Sequence, residues 1–277
     1  MRRDRTRRVL VLVGLAVGAL AAAALPVVPV GPAFAEEGRQ IGGGVGRTGS
    51  SSGSDVGWDA DIAAGRTTPS ADPVSIMPMG DSITGSPGCW RGNLWQLLVD
   101  TGRDVDFVGS QSQGCLPTGS DPDNEGHGGY QVTSSVANGD TRRWLELNTP
   151  EVLLVHFGTN DVWSNVPPAQ ILDAYTSIVT DLRGLNPDAI ILVAQIIPLE
   201  PDESFSCPDC GQRAIDLNSQ IPAWAAGLST ERSPIVVVDQ WTGFDPATDA
   251  YDGVHPNDSG NVKIAANWFA ALDRILT

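Results

Sequence analysis

The 277 residues contain three histidines, and one of them, His255, has Asp252 three residues before it in Asp252-Gly253-Val254-His255-Pro256. That spacing allows a tight turn in which the carboxylate accepts from Nδ1 and leaves Nε2 free to take a proton. A serine becomes a nucleophile when such a base lies within hydrogen-bond reach. Ser82 is the candidate, because Gly80 permits a sharp turn ahead of it and a helix start after it would aim its N–H at a pocket. Attack on an acyl carbon creates an oxyanion, and each donor placed around it is worth about 3–4 kcal/mol. The candidate donors are the N–H of Ser82, the N–H of Gly129 and the side-chain amide of Asn160. Taken singly, a turn glycine and a capping asparagine would explain the last two; taken together on successive loops, they point to acyl transfer. His156 lies within the apolar run Leu153–Phe157 and reads as a core residue, and His127 reads as a brace for the loop carrying Gly129.

These residues need a frame that collects them. Short apolar runs at Val74–Met79, Val105–Val108, Val152–Phe157, Ile190–Ile197 and Ile235–Val238 predict five strands covered on both faces. Helical patterns lie between them, near Gly92–Thr101, Gln131–Leu147, Ala169–Leu185, Gln212–Gly227 and Ser259–Leu276. The alternation predicts a three-layer α/β/α sandwich with a five-stranded parallel sheet over residues 72–277. Ligands of such sheets bind beyond the carboxyl ends of the strands. The loops leaving those ends carry Gly80-Asp81-Ser82, the block Glu125–Tyr130, Gly158-Thr159-Asn160-Asp161, and Asp252–Pro256.

Those four blocks, in that order, resemble the four blocks of the SGNH hydrolases, also called GDSL esterases and lipases. The resemblance implies a flavodoxin-like sheet, no cofactor and no metal, and ester hydrolysis through an acyl-serine. It gives the nucleophile role to Ser82, the base role to His255 with Asp252 completing the triad, and the oxyanion roles to Ser82, Gly129 and Asn160. Val108-Gly109-Ser110-Gln111 and Asp123–Tyr130 are further similar to carbohydrate esterases of family 3, which include acetylxylan esterases, although Tyr130 stands where Trp is common there. That similarity implies an acetylated polysaccharide as substrate. Asp81 and Tyr130, beside Ser82 and Gly129, are expected to touch it, together with Trp163 and Trp241, whose rings could stack on a sugar.

The remaining sequence sets the context. Five arginines among Met1–Arg8, the apolar run Val9–Leu25 and Ala33-Phe34-Ala35 read as a signal peptide over residues 1–35, with a retained anchor as the alternative. Residues 36–71, rich in Gly and Ser, read as a flexible linker; the GxGxxG and GxSxG matches within it lack the flanking strand and helix those motifs require. The formal net charge is −16 and becomes more negative once the arginine-rich leader is gone, which disfavours nucleic acid and anionic lipid as partners. A monomer, secreted and without stable membrane association after cleavage, acting on an acylated carbohydrate or small ester, is the expectation. Secretion favours disulfides, here Cys89–Cys115 and Cys207–Cys210, over a redox or zinc CxxC. Asp121–Gly126 starts like a calcium loop, but Val132 occupies its twelfth position, so a solvated acidic turn is expected. The competing functions are a lipase or general short-chain esterase and, in another class, a non-catalytic carbohydrate-binding module.

Overall fold

The computed structural model describes residues 72–114, 119–202 and 207–276. The leader, the linker and Cys115 lie outside the described residues. Six strands form one parallel sheet: β1 (Val74–Gly80), β2 (Val105–Phe107), β3 (Glu125–Gly126), β4 (Val152–His156), β5 (Ile190–Gln195) and β6 (Ile235–Asp239). The spatial order is β2-β1-β4-β5-β6, with β3 paired to β1 off that path. The expected count of five therefore becomes six. The added strand has two residues and no apolar run, so no periodicity announces it.

β2 and β3 share one edge of β1 in succession. β2 pairs Val74 to Ile76 with Val105 to Phe107, and β3 pairs Met79 and Gly80 with Glu125 and Gly126. The chain between them leaves the sheet and returns. Pro78 sits at this junction. The carbonyls of Ile76 and Gly80 accept from Val108 and His127 on that edge, so Pro78 presents its missing N–H where β2 has ended, and no ladder bond is lost.

Strand residues alternate between two apolar layers. Ile76, Leu154 and Leu192 face the helices α1 (Trp90–Asp100) and α9 (Asp258–Ile275), packing with Trp90, Leu94, Leu98, Trp268 and Leu272. Met77, Leu153 and Val193 face the other layer, where α2 (Val132–Ala137), α3 (Asp140–Leu147), α4 (Thr159–Trp163), α5 (Pro168–Leu185), α6 (Cys210–Asn218) and α7 (Ile221–Leu228) lie; a short α8 (Pro246–Asp249) precedes the last loop. Each fully buried aliphatic side chain contributes about 1.5–3 kcal/mol relative to exposure. Two predicted helices are divided. The chain between α2 and α3 passes through Gly139 at φ 74°, and α6 ends at Asn218 before α7 restarts with Pro222 at its head, a place where proline is tolerated. Among the described residues no helix is long and apolar enough to cross a membrane.

Candidate active site

The loop after β1 is folded by close backbone approaches. A Cβ on Gly80 would overlap the carbonyl oxygen of His156, and one on Gly126 would overlap the backbone of Gly85. The turn closes with Gly85 N–H donating to the Asp81 carbonyl at 2.8 Å. Ser82 thus sits on a turn rather than a helix start, since the next helix, α1, begins at Trp90. His127 N–H donates to Gly80 O at 2.9 Å, and a methyl built on Gly128 would come to 3.8 Å from Ser82 Cβ. The second loop therefore lies against the serine.

Ser82 and His255 are 173 residues apart, and their Oγ and Nε2 lie at 2.9 Å. His255 Nδ1 lies 2.7 Å from Asp252 Oδ2. The other Asp252 oxygen accepts from Val254 N–H at 3.0 Å and from His255 N–H at 2.7 Å. Partial burial pushes the Asp252 carboxyl up, but the bonds from His255 and Val254 outweigh it and hold the group below its ordinary value. Gly253, at φ 77°, makes this turn possible: a Cβ there would overlap the Glu200 carbonyl. Asn257 then caps α9, accepting from Ser259 and Gly260 N–H.

Gly129, at φ 79°, is exposed, and Asn160 is half-buried at the start of α4. One Asn160 amide hydrogen goes to Tyr130 O at 2.9 Å; an amide has two, so the other is free to point elsewhere. Asp161 accepts from Val132 N–H, Thr133 N–H and Thr133 Oγ1 at 2.8, 3.1 and 2.6 Å. It acts as a remote N-cap for α2 and fixes the Gly129 loop beside Asn160. A cleft of about 510 Å³ opens there, bordered by Gly129, Tyr130, Ser134, Asn138, Asn160 and Trp163.

Tyr130 and Trp163 thus border this cleft, and Asp81 and Trp241 are not among its walls. Asp81 is fully buried, and its carboxylate accepts from Ile83 N–H at 3.1 Å, so it braces the serine turn. Burial pushes it up to about 6, against the hydrogen bond from Ile83. Trp241 packs against the core beside β6. Trp90, also near the rim in sequence, is a core residue packed on Trp268. His156 is buried and pushed down to about 4 by desolvation, so it stays neutral. His127 bonds Glu125 at 2.6 Å and stacks on Trp144 at 4.1 Å. Asp121 accepts from Phe107 and Asp123 N–H, acting as a backbone brace. Cys207 and Cys210 form a disulfide; Cys89 is disulfide-bonded too.

Two contributors were hidden in the sequence. Arg91 is fully buried, and its guanidinium donates to the carbonyls of Thr84, Gly85, Pro122 and Gln113. It ties the serine turn to the segment leading into Glu125. Glu125, also fully buried, accepts from Ser110 and pairs with His127. A charged residue ordinarily reads as surface, so only the motif position of Glu125 offered a signal.

Residues 79–263 match the GDSL-like lipase/acylhydrolase family. The chain belongs to that family. Among solved structures, this GDSL-family domain is similar to a carbohydrate esterase of family 3 from Talaromyces cellulolyticus, with 33% identity, 73% of this chain and 98% of that one covered, and a TM-score of 0.65. It is similar at 32% identity, with the same coverages and TM-score, to an acetyl esterase carrying a serine-to-alanine substitution and crystallised with acetate. A family 3 carbohydrate esterase from Clostridium thermocellum shares 28% identity over 74% of this chain and 98% of that one, with a TM-score of 0.60. A curated relative, a multidomain esterase of Ruminococcus flavefaciens, is 25% identical over 239 residues, 77% of this chain but 30% of that protein. The domain spans less than a third of that relative's length. Family, neighbours and the Ser82–His255–Asp252 geometry together support ester hydrolysis of the GDSL type.

Proposed function

We propose that the domain removes acetyl groups from carbohydrate outside the cell, with Ser82 as nucleophile. His255 Nε2 takes the Ser82 proton as Oγ attacks the acetyl carbon, and Asp252 stabilises the imidazolium that forms. The N–H groups of Ser82 and Gly129 and the Asn160 amide receive the oxyanion. His255 then protonates the departing sugar oxygen, leaving acetyl on Ser82. Water, deprotonated by the same imidazole, releases acetate and restores the serine.

The observation that carries the substrate is the cleft beside Gly129 and Asn160. Its walls are Ser134, Ser135, Asn138, Ser164 and Gln131 with the rings of Tyr130 and Trp163, hydroxyl and amide chemistry suited to a sugar and ill suited to a long acyl chain. The acetyl and carbohydrate esterases among its structural neighbours favour the same substrate. The disulfide Cys207–Cys210 accords with export through the arginine-rich leader.

The test is acetate release from acetylated xylan by wild type beside Ser82→Ala, with a long-chain p-nitrophenyl ester for comparison. Release that falls about 10³-fold or more in the variant is expected. Ser82-dependent turnover of the long-chain ester alone would move the substrate to lipids. No Ser82-dependent turnover of either would return the domain to a binding module.

A further inference from the structure

We propose that Tyr251 and the cleft beside it form a second carbohydrate subsite, which holds a sugar ring on the leaving-group side of Ser82. The proposal rests on the esterase reading above and names what that site holds beyond the acetylated carbon.

Tyr251 is 61% exposed, yet it is not loose. Ala250 and Pro256 form a bridge, and Tyr251 N–H donates to His255 O at 3.0 Å. Its ring lies nearly parallel to the His255 imidazole, with centroids at 5.6 Å and planes 11° apart. One side of the ring is therefore turned to the base and the rest is open to solvent. Among the described residues, the exposed aromatic side chains are Tyr130 and Tyr251. Tyr130 borders the cleft at the oxyanion donors, and Tyr251 stands beside the base. The two exposed rings thus flank the Ser82–His255 pair, one on the side of Gly129 and Asn160 and the other beside the imidazole.

The chemistry fixes which part of the substrate Tyr251 meets. His255 Nε2 must deliver a proton to the departing alcohol oxygen, so that oxygen comes within hydrogen-bond reach of Nε2. Whatever ring carries the oxygen is then next to the neighbour of His255. Tyr251 also borders a cleft of about 520 Å³ that lies between Pro87 and the start of α9, with Asn257, Asp258 and Ser259 in its walls. That size falls within the range of small-ligand sites. A pyranose offers an apolar C–H face to an aromatic ring and a rim of hydroxyls to a carboxylate such as Asp258, which is exposed. A simple alkyl acetate offers neither.

The experiment compares kcat/KM for an acetylated xylo-oligosaccharide with kcat/KM for methyl acetate, in wild type, Ser82→Ala and Tyr251→Ala. The ratio of the two is independent of the fraction of enzyme folded. Tyr251→Ala is expected to lower the ratio about 5-fold or more, chiefly through a raised KM for the oligosaccharide. A ratio within about twofold of wild type, with the wild type active on both esters, would overturn the subsite and leave the proposed function standing. Ser82-dependent hydrolysis of methyl acetate with none of the oligosaccharide would overturn the carbohydrate substrate and the subsite together.

Discussion

Replacing Asp252 by asparagine should abolish most activity while barely touching the fold. Asp252 Oδ1 receives two backbone N–H groups, from Val254 and His255, and Oδ2 receives His255 Nδ1. An asparagine keeps its oxygen where the two N–H donors demand an acceptor, and so turns its NH₂ toward Nδ1. The imidazole must then leave Nδ1 unprotonated and carry its proton on Nε2, which faces Ser82 Oγ at 2.9 Å. A nitrogen already protonated cannot act as the base. Substitutions of this kind in serine triads lower turnover about 10⁴-fold, equivalent to about 5.5 kcal/mol at the transition state. A neutral hydrogen bond replaces a charge-assisted one, at a cost near 1 kcal/mol, or about 2–4 °C in a domain of this size. The assay is kcat on methyl acetate beside calorimetric Tm. Turnover within about tenfold of wild type would refute the idea that Asp252 sets the tautomer, and a collapse of Tm would show that the loss came from the fold.

Gly253→Ala should lower stability and turnover together, because the left-handed backbone alone costs about 1–2 kcal/mol and the new Cβ must displace the loop carrying Asp252 and His255 from Glu200; unaltered Tm and kcat would show that the loop yields freely. Asp81 and His156 should titrate against each other. Burial raises Asp81 to about 6, so between its ordinary value and 6 the folded state binds more protons than the unfolded, and stability falls as pH rises through that window. Burial lowers His156 to about 4, so the unfolded state binds more protons up to its ordinary value, and stability rises with pH there. Each effect is worth roughly 3 kcal/mol. Asp81→Asn should therefore gain on wild type by up to that amount from pH 4 to pH 6 in denaturant unfolding, and a constant difference would mean that Asp81 ionises as it does in the unfolded chain.

How much of this was legible depended on whether a residue's surroundings follow from its neighbours in sequence. The five apolar runs became strands because burial on both faces leaves a continuous hydrophobic signal. The loops worth searching followed from the direction of those strands. The breaks at Gly139 and ahead of Pro222 were written in residue types that the helical periodicity on either side concealed. β3 left no trace, since Glu125 and Gly126 join the sheet through their backbone. Asp81, Arg91 and Glu125 are charged groups with fully buried side chains, and composition assigns such residues to the surface. Tyr251 carried no motif; its place follows from a bridge across the turn and a ring laid on His255.

Arg91 donates to four carbonyl oxygens of the loops it joins, and the Asp121 and Asp123 carboxylates work against the cost of burying its charge. Its hydrogen bonds are therefore indifferent to the side chains at Thr84, Gln113 and Pro122, so long as the backbone passes through the same points. Substitutions at those three positions can accumulate without moving Ser82, whereas any change that draws one of the carbonyls out of reach strands a buried cation. The surface around the serine can be remade at such positions while the serine stays where it is.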